Sequence, residues 1–110
     1  MTVEERADAG VHVVAVKGEL DLATAPDLCA RLDADRSRRL LVDLSGLEFC
    51  DSTGLRALLG AASEVRTHGG RFVLVCPPTG EVARLLRMTG AGEWLAVHGD
   101  AQSALASLTR

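Results

Sequence analysis

The sequence predicts an α/β domain: a mainly parallel, mixed sheet of four to five strands with about four helices, in the order β-β-α-β-α-β-α-β-α. Three observations predict it. Short runs rich in Val and Leu alternate with segments whose apolar residues recur at the 3.6-residue helical spacing. Gly, Pro and small polar residues punctuate each change of period. The length of 110 residues is that of one domain, so positions 1–110 are expected to form a single folding unit around one core. Repeated strand-helix-strand crossings then require parallel neighbours and right-handed connections.

Val3 to Arg6 reads as a short strand pairing, across Ala7-Asp8-Ala9-Gly10, with the β-branched run Val11 to Val16 that ends at Lys17-Gly18. After Gly18-Glu19-Leu20-Asp21, Thr24 or Ala25 is expected to cap a helix with Pro26 and Asp27 in its first turn. Its pattern Leu28, Arg31, Leu32, Asp35 places the end near Arg36. The run Leu40-Leu41-Val42-Asp43-Leu44, bounded by Ser45-Gly46, reads as a buried strand. Leu55, Leu58, Leu59, Ala62 and Val65 then recur at helical spacing from Asp51-Ser52 onward, and His68-Gly69-Gly70 supplies the stop. Arg71 to Cys76 is another buried strand, which Pro77-Pro78 cannot continue. Thr79 is expected to cap a helix carrying Val82, Leu85, Leu86 and Met88 as far as Thr89-Gly90. Trp94 to His98 reads as the last strand, and Asp100 as the cap of a closing helix through Ala104, Leu105 and Leu108.

Composition excludes several functions. With 47% hydrophobic residues but only 3% aromatic, the core is aliphatic, and one Trp, two Phe and no Tyr provide no base-stacking platform. Twelve Lys plus Arg against 15 Asp plus Glu give a net charge of -3 without a basic stripe, so nucleic acid is not an expected partner. Cys29, Cys50 and Cys76 are odd in number and widely spaced, which fits reduced, buried thiols rather than disulfides or a zinc site. Met1-Thr2-Val3-Glu4-Glu5-Arg6 lacks a signal-peptide apolar region, and no apolar run approaches the roughly 20 residues of a membrane span, so a cytoplasmic location is expected.

The sequence reads as a binding domain, not an enzyme, with no cofactor. No Walker loop or dinucleotide fingerprint is present, and no close pair of residues has metal-ligand spacing. His12, His68 and His98 fall on a strand, a helix end and a late strand, and there is no G-x-S-x-G elbow, which argues against a serine hydrolase. Asp51 is followed by Ser52-Thr53 rather than directly by Thr-Gly, which argues against an aspartic protease.

The segment Cys50-Asp51-Ser52-Thr53-Gly54 carries the most chemistry. Ser52 falls where a buried strand ends and the strongest helix begins, beside unpaired backbone N–H groups at a positive dipole end. Phosphorylation there would add a charge of about -1.5 to -2 at pH 7, which the helix start offsets and the adjacent Asp51 opposes. Local spacing by itself favours a plainer reading, in which Asp51 or Ser52 is only an N-cap and Gly54 allows close packing. A second feature is the helix face opposite the Leu stripe, where Ala57, Gly60, Ala61, Glu64 and His68 leave a surface of small residues on the solvent side. Gly60 costs about 1 kcal/mol relative to Ala in a helix interior, and close approach of another protein is one reason to keep it. Harmless exposed filler is the other reading.

These residues resemble the STAS-domain anti-sigma factor antagonists of bacteria, across nearly the whole chain. Leu41 to Leu55 (LVDLSGLEFCDSTGL) is similar to the family's strand, switch loop and helix start, and Gly18-Glu19-Leu20-Asp21 to its other recurring signature. The resemblance implies a partner-switching circuit: the unphosphorylated domain binds an anti-sigma factor that is also a serine kinase, and so releases a sigma factor. Ser52 matches the phosphoacceptor, and the kinase uses ATP to modify it and dissociates. A metal-dependent serine phosphatase restores the binding form. Asp51 would position the loop, Thr53 and Gly54 would shape it, and Asp21 would join the same surface from a neighbouring loop. With Arg56, Ala57, Gly60, Ala61 and Glu64, these residues are the expected partner surface. Two positions depart from the family. Arg56 stands where members often carry a small or apolar residue, and Cys50 where a larger apolar one is usual. The resemblance also allows a STAS domain that is never phosphorylated and serves as a scaffold or regulatory subunit, for example of a transport ATPase.

Overall fold

Alternation along the central strands decides which side of the sheet each residue covers. The computed structural model describes residues 1–33 and 39–109. β1 (Thr2–Asp8) and β2 (Val11–Leu20) form an antiparallel hairpin, turned by Ala9 and Gly10, both at positive φ as a two-residue hairpin turn requires. β3 (Arg39–Cys50), β4 (Arg71–Val75) and β5 (Ala96–His98) follow in parallel, giving one sheet in the order β1-β2-β3-β4-β5. The predicted order of strands and helices is the observed one.

Leu40, Val42, Phe72 and Leu74 pack with residues of α1 (Ala25–Asp33), α2 (Ser52–Thr67) and α3 (Glu81–Thr89). The intervening Leu41, Val73 and Val75 pack instead with Ala104 and Leu108 of α4 (Ala101–Thr109). Central strands covered on both faces carry no polar alternation, which is why they read as continuous apolar runs. Each buried Leu or Val contributes about 1.5–3 kcal/mol of burial. Among the described residues no polar or charged residue is fully buried.

Several expected boundaries move. β3 extends to Cys50, well past Leu44, because its second half pairs with β2 alone: Gly46 lies opposite Lys17 and Cys50 opposite Leu20. Most residues of that extension are exposed, and apolar periodicity reports burial rather than pairing. β1 and β2 lengthen for the same reason. The carbonyl of Thr24 accepts N–H bonds from Asp27 and Leu28, which puts Thr24 at the start of α1, while Asp35 and the expected end near Arg36 lie outside the described residues.

Thr79 does not cap α3. Gly80 holds that position at φ 101 with no side-chain cap, its carbonyl accepting from Arg84 N–H, so Thr79 sits one residue too early. Met88 is exposed rather than core. The last strand is shorter than expected, since Ala91–Glu93 forms a 3₁₀ turn closed by the Trp94 N–H, and Leu95, not the exposed Trp94, enters the core. Asp100 does cap α4, its carboxylate accepting from Ser103 N–H at 2.7 Å.

Candidate functional site

The ends of β2 and β3 lie side by side, and that adjacency builds the loop. The Asp51 N–H donates to the Leu20 carbonyl at 3.2 Å, joining the two signature segments through backbone. Asp51 is extended (φ -99, ψ -177) and its carboxylate accepts the Gly54 N–H at 2.9 Å, so it is the N-cap of α2. Ser52 is therefore the first helical residue. Its hydroxyl is exposed and, among the described residues, has no hydrogen-bond partner. Of the two cap candidates, Asp51 does the capping, and the serine is left free.

Gly54 is buried at the third helical position. A Cβ there would lie 2.6 Å from the Leu20 carbonyl oxygen, 2.7 Å from Leu20 Cγ and 3.1 Å from the Cys50 sulfur. The backbone oxygen cannot swing aside as a side-chain tip can, so only glycine lets α2 start this close to β2. Burial first, then the neighbouring Asp51 and Cys76, push the Cys50 thiol from 9.0 up to about 11. It is a protonated packing group beneath the loop, in place of a larger apolar residue.

Asp21 serves its own turn. Its carboxylate accepts the N–H groups of Ala23 and Thr24 at 3.0 and 3.1 Å, its N–H donates to the Thr24 hydroxyl, and that hydroxyl donates to the Glu19 carbonyl at 2.9 Å. The turn leads into α1 and throws Leu22 into solvent, 73% exposed. Asp21 thus shapes the neighbouring loop, while Leu22 occupies the surface expected of it.

Between α1 and α2 runs an open groove of about 480 Å³. Leu22, Ala25, Pro26 and Cys29 form one wall. Thr53, Arg56, Ala57, Gly60, Ala61 and Glu64 form the other, so all the expected partner-face residues of α2 beyond the loop lie together. One expectation fails: this face is not open to solvent throughout. Ala61 is buried and Ala57 half-buried because α1 packs against it, and the small side chains let the two helices approach. Gly60 faces open space: beyond its own helix backbone and chain neighbours, nothing among the described residues lies within 4 Å of where its Cβ would stand.

Sequence reasoning missed Leu22, Pro26 and Cys29 as groove residues, and Phe49, 46% exposed two residues before Asp51. A large apolar residue in a turn at Leu22, and one beside Glu48 on the exposed end of β3 at Phe49, were the available signals. Cys29 is half-buried, not buried like Cys50 and Cys76. None of the histidines belongs to this loop. His12 on β2 lies 3.0 Å from Glu5, His68 caps the far end of α2, and His98 on β5 contacts the Ser103 hydroxyl at 3.0 Å. Among the described residues no helix is long and apolar enough to cross a membrane.

A glycine-seated loop presenting a free hydroxyl beside a largely apolar groove defines a small α/β binding domain. The STAS domain family model matches residues 2–104, and the chain belongs to that family. It is 30% identical, over 98% of its own length and 95% of the relative's, to the anti-sigma F factor antagonist of Paenibacillus polymyxa. It is 37% identical to the anti-sigma-F factor antagonist RsfB of Mycobacterium tuberculosis over 68% of this chain and 63% of that one. The crystal structure of an anti-sigma factor antagonist from Mycobacterium paratuberculosis superposes with a TM-score of 0.89 at 29% identity, covering 99% of this chain and 94% of the other. These relatives are named as regulators, not as enzymes.

Proposed function

We propose that this protein is an anti-sigma factor antagonist whose partner binding is switched by phosphorylation of Ser52. The observation that carries the reading is the division of labour at the start of α2. Asp51 satisfies the cap, so the Ser52 hydroxyl is exposed and unpaired on the first turn, next to the α1–α2 groove. The names of the relatives support the same class.

In the unphosphorylated state the loop and groove bind an anti-sigma factor that is also a serine kinase, which frees a sigma factor in the cytoplasm. Leu22 and Phe49 supply exposed apolar area, and Gly60, open to solvent beside the groove, lets the partner approach closely. The kinase transfers the γ-phosphoryl group of ATP to Ser52 Oγ. The hydroxyl proton passes to the kinase's base and ADP leaves. A near-neutral hydroxyl becomes a group of charge about -1.5 to -2, next to Asp51 and against the desolvated partner, and the complex is released. A serine phosphatase resets it. The exposed, unpaired hydroxyl favours this switch over a STAS scaffold that is never modified.

The test is incubation with the partner kinase and ATP, read by intact mass and peptide mapping. One added phosphate, mapped to Ser52 and lost in Ser52→Ala, is expected. An unmodified chain, or phosphate that persists in Ser52→Ala, would overturn the assignment.

A further inference from the structure

We propose that Arg56 is the phosphate's partner within this chain: once Ser52 is phosphorylated, the Arg56 guanidinium clamps it across one turn of α2. The proposal rests on Ser52 being the modified residue.

Arg56 is four residues beyond Ser52 on the same helix, the spacing at which side chains stack on one face. An anion N-terminal to a cation at this spacing is the favourable orientation. Helical side chains lean toward the N-terminus, so the Arg56 side chain is able to reach back over the turn that holds Ser52. Nothing else on α2 competes. The helical neighbours of Arg56 at three and four residues are Ser52, Thr53, Leu59 and Gly60, none of them charged. Among the described residues Arg56 makes no ion pair or hydrogen bond, and it is exposed.

The carboxylates of the two adjoining loops, Asp51 and Asp21, are already hydrogen-bonded to backbone N–H groups and, among the described residues, pair with no cation. Glu64 lies two helical turns further along the groove. Arg56 is thus the cation placed to offset the charge that Asp51 opposes. A guanidinium can hold two phosphate oxygens at once, which a lysine ammonium cannot do in the same planar geometry. Because Arg56 also lines the groove, the clamp draws a groove side chain toward the phosphate, and modification alters the docking surface at two residues rather than one.

The experiment uses the full chain with phosphoserine installed at position 52 by genetic code expansion, so no kinase is needed. Phosphorus NMR follows the second ionisation of the phosphate. It should titrate about 0.3 pH lower in the wild-type background than in Arg56→Gln, which corresponds to about 0.4 kcal/mol. Arg56→Lys should keep part of the difference, and 1 M salt should shrink it. Superimposable titrations of the wild-type and Arg56→Gln proteins would overturn the clamp. Failure of a kinase to modify Ser52 would count against the preceding reading and leave this measurement intact.

Discussion

α2 and α3 both start beyond the C-terminal ends of neighbouring parallel strands, β3 and β4, yet the two starts are built differently. At α2 the Asp51 side chain caps the helix and Gly54 is wedged against Leu20 and Cys50. At α3 there is no side-chain cap, only Gly80 at φ 101 with open space around its Cβ position. One start is held by tertiary contact and the other by local backbone conformation. A loop that must present one hydroxyl in a constant place needs the first kind, because local turns alone leave orientation to be averaged by motion.

The largest expected difference is between the two glycines. Gly54→Ala should cost about 3 kcal/mol, since the new methyl meets a backbone oxygen. Gly80→Ala should cost about 2 kcal/mol, because φ 101 with ψ 179 is a backbone region open almost only to glycine, even though the methyl meets no clash. Urea unfolding of both variants measures the gap, and equal costs would erase the distinction. Next in size are the caps. Asp51→Ala should lose about 1 kcal/mol, whereas Thr79→Ala should stay within about 0.5 kcal/mol because Thr79 caps nothing.

The smallest effect separates the cysteines beneath the two starts. Burial and then Asp51 and Cys76 raise the Cys50 thiol to about 11, while burial raises Cys76 and Arg87 pulls it back. An acid whose pKa is higher folded than unfolded keeps its proton longer in the native state. Stability is therefore full below 9.0, and is lost as pH rises from 9.0 toward 11. Unfolding followed across that window should show a decline that Cys50→Ala flattens more than Cys76→Ala does. An unchanged slope in Cys50→Ala would contradict the assignment.

The helix start at Asp51-Ser52 and the apolar strands were legible because each is a local signal: a capping residue, a change of period, a run of Val and Leu. The extension of β3 to Cys50 was not, since its exposed half carries no apolar pattern and is held by pairing with β2. The Thr79 cap failed because a threonine near a helix start cannot announce whether its own backbone or that of the next residue makes the turn. Ala61 was placed on the solvent side because periodicity ranks the faces of one helix without showing that α1 covers part of the polar one.

By itself, the sequence determined the order of strands and helices, the position of Ser52 at the first turn of α2, and the small residues that follow it. Those follow from periodicity, capping chemistry and side-chain size, which act between near neighbours. Only the tertiary structure decided that Asp51 rather than Ser52 makes the cap, that Gly54 must be glycine because Leu20 lies against it, and that Leu22 and Cys29 complete a groove with α2. The cap is a contact over three residues that either side chain could have made, whereas the other two depend on contact between segments some 30 residues apart, and a distance through space leaves no trace in local spacing.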